Sequence, residues 1–192
     1  MNKIAIDVVL LPPDEIIDLA ISKNKERKED PIKLDKQKCI PHITLCMGAI
    51  NKQKLPEIKT FLEEISNQFS PLNIEINKIN EKHSAFDITI NPKLQKLHET
   101  ITRKIKPWII DEPTTEMCFS PPDVSKRTLY WLGGFKDKSC FENYYPHITL
   151  AKEGLDKENI SIKFTTFRLA LCHLGNYCTC RKILFETKLK QN

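Results

Sequence analysis

The sequence predicts an α+β fold of two related lobes, with antiparallel sheets lining a central cleft and helices packed outside them. Three observations lead there. The pentapeptide Pro-His-Ile-Thr-Leu occurs at residues 41–45 and again at 146–150. Strand-like and helix-like segments alternate before residue 80, and a looser version of the same order follows residue 84. The chain has 192 residues, 40% hydrophobic and 29% charged, which suits one globular domain, 1–192, built as two pseudo-symmetric lobes. A chain of that length buries a sizeable core without help from disulfides or metals.

Residues 4–11 form a nearly unbroken apolar run ended by Pro12 and Pro13, a buried strand. Asp14 stands at the N-cap position of a helix whose apolar stripe is Ile16, Ile17, Ala20 and Ile21. The charge run 22–38 reads as a fraying helix end and a solvated loop. A second strand covers 40–47. Leu55, Ile58, Phe61, Leu62, Ile65 and Phe69 then recur at helical spacing over 53–69, with Pro71 as the stop. Residues 72–79 and 85–90 alternate as two strands around a turn at 80–84. Leu94, Leu97, Ile101 and Ile105 predict another helix, up to Pro107.

Residues 108–126 hold Pro113, Pro121 and Pro122 and end at Lys126-Arg127, a long loop of the kind that shapes substrate choice. A short strand at 129–132, closed by Gly133-Gly134, is expected next, then strands at 144–151, 164–174 and 181–189. The last two are expected to form a hairpin around Gly175-Asn176.

Side chains alternate along a strand, so His42 and Thr44 share one face and Ile43 and Leu45 the other. His147 and Thr149 stand likewise against Ile148 and Leu150. If the polar faces meet across a cleft, two imidazoles and two hydroxyls surround one point. In-line displacement at a phosphodiester needs one group to take a proton from the attacking oxygen and another to protonate the leaving oxygen. Histidine does both near neutral pH. The threonine hydroxyls can hold the charge on the non-bridging oxygens. His83, His98 and His173 lack the motif and read as structural.

The two His-x-Thr motifs, about a hundred residues apart, each after a proline and before an aliphatic residue, resemble those of the 2H (two-histidine) phosphoesterase superfamily. That superfamily includes 2'-5' RNA ligase-like proteins, cyclic phosphodiesterases and the nucleotide-binding domain of certain kinase-anchoring proteins. The resemblance implies a bilobal α+β fold, His42 and His147 as catalytic residues, and Thr44 and Thr149 as phosphate ligands. It implies opening of a 2',3'-cyclic phosphate or cleavage of a 2'-5' linkage, with no cofactor and no metal. By similarity to cyclic phosphodiesterases, His42 protonates the leaving oxygen and His147 activates water; the sequence fits the reverse equally. The alternative is a nucleotide-binding module of the same fold without turnover.

Tyr145 falls on the face of His147 and is a candidate platform for a base, whereas Tyr144 points to the core. Tyr177 and Arg181 follow the last turn and are candidates to reach substrate. Cys172, His173, Cys178 and Cys180 are crowded, but adjacent residues face opposite ways and Cys-x-Cys is tight for zinc. A zinc-stabilised interaction protein is therefore the third reading. The odd count of seven cysteines and the lack of an export signal predict reduced, buried, inert thiols in a cytoplasmic protein. A net charge of +5 suits a nucleotide or short RNA partner and falls well short of a duplex binder. No apolar run is long enough for a membrane span, and a monomer is expected.

Overall fold

The computed structural model describes residues 2–120 and 124–190. Pro121, Pro122 and Asp123 of the expected long loop lie outside the described residues. Two four-stranded antiparallel sheets and four helices make an α+β fold. The strands are β1 (Lys3–Leu11), β2 (Ile43–Asn51), β3 (Leu72–Asn80), β4 (Ala85–Ile88), β5 (His147–Thr149), β6 (Glu158–Thr166), β7 (Arg168–Leu174) and β8 (Cys180–Lys188). The helices are α1 (Asp14–Lys25), α2 (Leu55–Ser66), α3 (Pro92–Ile105) and α4 (Lys126–Lys138).

The first sheet runs β2-β1-β7-β8 and the second β5-β4-β3-β6. Each motif strand, β2 or β5, therefore occupies a sheet edge. β1 is buried on both faces because each face of its sheet is covered by apolar packing. Ile4, Ile6, Val8 and Leu10 enter the main core with Ile58, Leu62, Leu97 and Ile101 of the helices. Ala5, Val9 and Leu11 point the other way. Near the motif, β1 pairs Val9 with Thr44 and Val8 with Cys46, so a bulge in β2 leaves Leu45 unopposed.

Sheet membership does not follow chain order. β3, from the first half, pairs with β4 and β6, whereas β7 and β8 complete the sheet begun by β1 and β2. The single strand expected at 164–174 is thus two strands. Thr166 pairs with Leu72 in one sheet and Arg168 with Leu11 in the other, with Phe167 at the crossing.

Three further expectations need correction. Residues 129–132 belong to α4, whose N-cap Ser125 accepts a hydrogen bond from the Thr128 amide. Both glycines lie inside that helix. At Gly133 a Cβ would stand 3.1 Å from the Asp111 carbonyl, so glycine permits the close packing of helix and loop. Second, α1 starts after an N-cap at Pro13. Asp14 sits in its first turn, favourable to the helix dipole, and makes no capping bond.

Third, the run 22–38 is anchored and not merely solvated. Asn24, Asp30, Ile32 and Leu34 are buried. The Asn24 side chain donates to the Ile32 and Leu150 carbonyls and accepts from the Leu34 amide. Asp30 accepts from the Lys152 amide. The segment thereby ties the end of α1 to the chain just after β5.

The cysteine reading is corrected at one pair. Cys172 and Cys180 are joined across the β7–β8 hairpin, with their Cα atoms 5.7 Å apart. Cys39, Cys46, Cys118 and Cys140 are free and buried. Among the described residues no helix is long and apolar enough to cross a membrane.

Removing the Asn24 side chain strands two buried carbonyls and an amide. Asn24→Ala should lower unfolding free energy by about 2–3 kcal/mol in urea denaturation; an unchanged midpoint would show that water replaces these bonds at no cost.

Candidate active site

Both motifs open the same way. A proline precedes each histidine, and the residue before a proline is held extended. Its carbonyl accepts a hydrogen bond from the histidine two residues on. His42 Nδ1 lies 2.7 Å from the Ile40 oxygen, and His147 Nδ1 lies 2.9 Å from the Tyr145 oxygen. A carbonyl only accepts, so each Nδ1 carries the hydrogen and each neutral ring keeps its lone pair on Nε2.

His42, Thr44, His147 and Thr149 line one cleft of about 300 Å³. The two halves differ in setting. The His42 side chain is only 12% exposed, and both histidines are half-buried; the acceptor of His42, Ile40, is buried, whereas that of His147, Tyr145, is exposed. Burial lowers the His42 pKa to about 4, the nearby His147 adding to the shift and the Ile40 carbonyl opposing it. Burial lowers His147 as well. His83 adds to that shift, while the Tyr145 carbonyl and Asp87 oppose it.

Beneath the first motif lies Asp7, fully buried on β1. Its Oδ2 is hydrogen-bonded to Thr44 Oγ1 at 2.6 Å and stands 3.6 Å from His42 Nε2. Tyr144, in the core as expected, donates its hydroxyl to the Thr44 carbonyl and stacks on His98 at 3.8 Å between centroids. His98 is pinned in turn, with Nδ1 on the Leu45 carbonyl and Nε2 accepting from the Phe141 amide. The Thr149 hydroxyl has no hydrogen-bond partner among the described residues.

Tyr145 lines the cleft, but one face of its ring is already stacked on His147, with centroids 5.1 Å apart. Its hydroxyl donates to Asp87, which Asn80 and Lys78 also hold. Tyr177 also lines the cleft, and Tyr177 and Cys178 adopt positive φ. Arg181 is placed elsewhere. It lines an adjoining groove with Tyr177, and its stem covers Gly175. The crowded C-terminal group does not converge. Cys172 is bonded to Cys180, His173 Nε2 meets the Met117 carbonyl, and the Cys178 thiol faces Thr128.

Sequence reasoning missed several lining residues. His83 and Lys82, in the β3–β4 turn, reach the cleft, and the His83 ring lies 5.2 Å from Tyr145. Arg127 and Trp131 reach it from α4, the guanidinium 4.6 Å above the indole. Arg127 was legible only as the end of the expected substrate-shaping loop, and Trp131 was hidden by reading 129–132 as a strand. Asp7 did carry a signal, as a lone acid in an apolar strand.

A cleft lined by two His-x-Thr pairs from two antiparallel sheets defines the two-histidine phosphoesterase class. The 2'-5' RNA ligase superfamily model matches residues 12–170, and the chain belongs to that superfamily. Among solved structures it resembles TT0787 of Thermus thermophilus, at 12% identity and TM-score 0.66, covering 97% of this chain and 98% of that one. It also resembles E. coli LigT complexed with NADP+, at 13% identity and TM-score 0.56 over all of both chains. Curated protein sequences include no match.

A histidine with a lowered pKa binds its proton less well folded than unfolded. Its contribution to stability is present above about 6.5 and is lost as pH falls towards about 4. In NMR titration without ligand, the His42 ring should therefore change charge near pH 4, and inorganic phosphate should raise that midpoint. A midpoint at the unperturbed value would contradict its burial.

Proposed function

We propose that this protein hydrolyses an RNA-type phosphodiester, such as a 2',3'-cyclic phosphate or a 2'-5' linkage, using His42 and His147 as its paired acid and base. The observation that carries this reading is the shared cleft, in which both rings turn the same nitrogen to reaction because Nδ1 is tied to backbone. Water gives a proton to the Nε2 of His147 as its oxygen bonds to phosphorus. The bond from phosphorus to the departing ribose oxygen breaks, and that oxygen takes the proton from the Nε2 of His42. The site then resets by exchange with solvent. By similarity to cyclic phosphodiesterases, His147 takes the water side and His42 the leaving group.

Thr44 and Thr149 are the hydroxyls for the non-bridging oxygens. Lys82, Lys152 and Arg127 around the cleft add positive charge for an anionic ligand, and Trp131 and Tyr145 add aromatic surface for a base. Crystal structures of E. coli LigT with 3'-AMP, ATP and phosphate support a nucleotide as the ligand class. These groups supply every proton and charge that the displacement needs, so we read the reaction as metal-independent. We further read the chain as one domain of two related lobes, since each sheet presents its motif on an edge strand beside a strand that also serves the site.

The test is a panel of 2',3'-cyclic nucleotides, 2'-5' oligoadenylate and short RNA, followed by mass spectrometry with chelator present. His42→Ala and His147→Ala should each lower kcat by about 10²–10⁴-fold while nucleotide affinity changes little. Nucleotide binding with no wild-type turnover would replace this reading with that of a binding module. The rate should also depend on pH. The productive form carries one proton between the two rings and burial lowers both, so kcat/KM should peak at a pH below that of an ordinary imidazole and fall on either side. A plateau extending through neutral pH would count against paired histidines.

A further inference from the structure

Among the described residues Asp7 is the one fully buried acid beside the motif, and the displacement proposed above does not use it. Its Oδ1 meets no hydrogen-bond partner among the described residues, and its Oδ2 meets only Thr44 within bonding distance. Among the described residues no lysine or arginine pairs with it. The titratable groups facing it are His42 and Cys46 from the β2 segment, Tyr144 from the chain before β5, and Cys178 from the β7–β8 connection. An ionised carboxylate needs several donors or a cation to replace its lost hydration, and one hydroxyl is poor compensation. A neutral carboxyl fits the same pocket far better, since its bare oxygen is only a carbonyl.

The bond between Asp7 and Thr44 can run in either direction. An ionised Asp7 would take the threonine's hydrogen and leave only lone pairs facing the cleft. A protonated Asp7 donates its own hydrogen to Thr44 Oγ1 and releases the threonine's hydrogen. We propose that Asp7 is a positioning residue that holds a proton against Thr44, so that the Thr44 hydroxyl donates into the cleft to a phosphate oxygen. The destination of that hydrogen rests on the phosphoesterase reading; the proton on Asp7 does not. Burial pushes Asp7 well above the usual carboxylate range, with the Thr44 bond opposing, in agreement with the geometry. With no negative carboxylate 3.6 Å from its Nε2, protonated His42 is also a stronger acid towards a leaving group.

Asp7→Asn keeps a donor for Thr44 and removes the titration, whereas Asp7→Ala removes both. The first measurement needs no activity. An acid whose folded pKa is raised holds a proton that the unfolded chain has released. Between those two values the wild type loses stability as pH rises, and Asp7→Asn does not lose that part. From about pH 5 to about pH 7, the ratio of wild-type to Asp7→Asn unfolding constants should grow by up to about tenfold per pH unit. A flat ratio would mean an ionised Asp7 and would overturn the proposal.

The second measurement is turnover. Asp7→Asn should keep most of the wild-type kcat, and Asp7→Ala should fall towards Thr44→Val, which loses about 10²-fold. If Asp7→Ala does not fold, the comparison of Asp7→Asn with Thr44→Val stands in its place. A loss in Asp7→Asn as large as in Thr44→Val would show that the carboxylate charge is needed and would overturn the proposal. Wild-type inactivity on every phosphodiester would overturn the phosphoesterase reading and the destination of the Thr44 hydrogen. The proton on Asp7 would still stand or fall on the folding ratio.

Discussion

The bond from each motif imidazole to the carbonyl two residues before it is the constraint on which the rest of the site depends. Both acceptors precede a proline, which has no amide hydrogen of its own and holds its predecessor extended. The carbonyls of Ile40 and Tyr145 therefore stand ready for Nδ1, and both rings meet the cleft through Nε2. Without that anchor an imidazole could flip, and the nitrogen that each ring turns to the cleft would not be defined.

Around this shared device the two halves are dissimilar. The first motif lies deep, above a buried carboxyl and behind a wall in which Tyr144 stacks on His98. The second is flanked by other aromatic rings, with Tyr145 against His147 and His83 beyond it. Burial acts on both rings, but their neighbours differ: His147 feels the repulsion of His83 partly offset by Asp87, while His42 feels the repulsion of His147. Two identical sequences thus acquire different proton affinities from their surroundings.

The tie between α1 and the chain after β5 belongs to the same logic. Asn24 and Asp30 reach Leu150 and Lys152 directly after the second motif, and Ile32 contributes to the cleft wall. A segment rich in lysine and acid thereby acquires buried polar anchors, which are favourable only when every partner is satisfied. The loop after α3 does similar work on the other side. Ile110 donates to the Ala49 carbonyl on the open edge of β2, and Phe119 donates to Leu174.

Local pattern alone carried the α+β class, the hairpin of β7 and β8, the helical stripes of α2 and α3, and the pairing of His42 with His147 as a hypothesis. Each is written in periodicity or repetition, which neighbours in the chain determine through backbone geometry. Tertiary structure decided what depends on distant partners. Leu-Tyr-Trp-Leu at 129–132 is short and apolar enough for strand or helix, and only its seat against Ala5 and Ala49 through Leu132 makes it helical and brings Trp131 to the cleft. The break at Phe167 exists because one chain serves two sheets, and Cys172 reaches Cys180 across a hairpin whose irregularities no local pattern shows. Asp7 reads in sequence as an anomaly in an apolar strand. Its meaning comes from Thr44 and His42, more than thirty residues away, since the energy of a buried charge is set by what surrounds it in space.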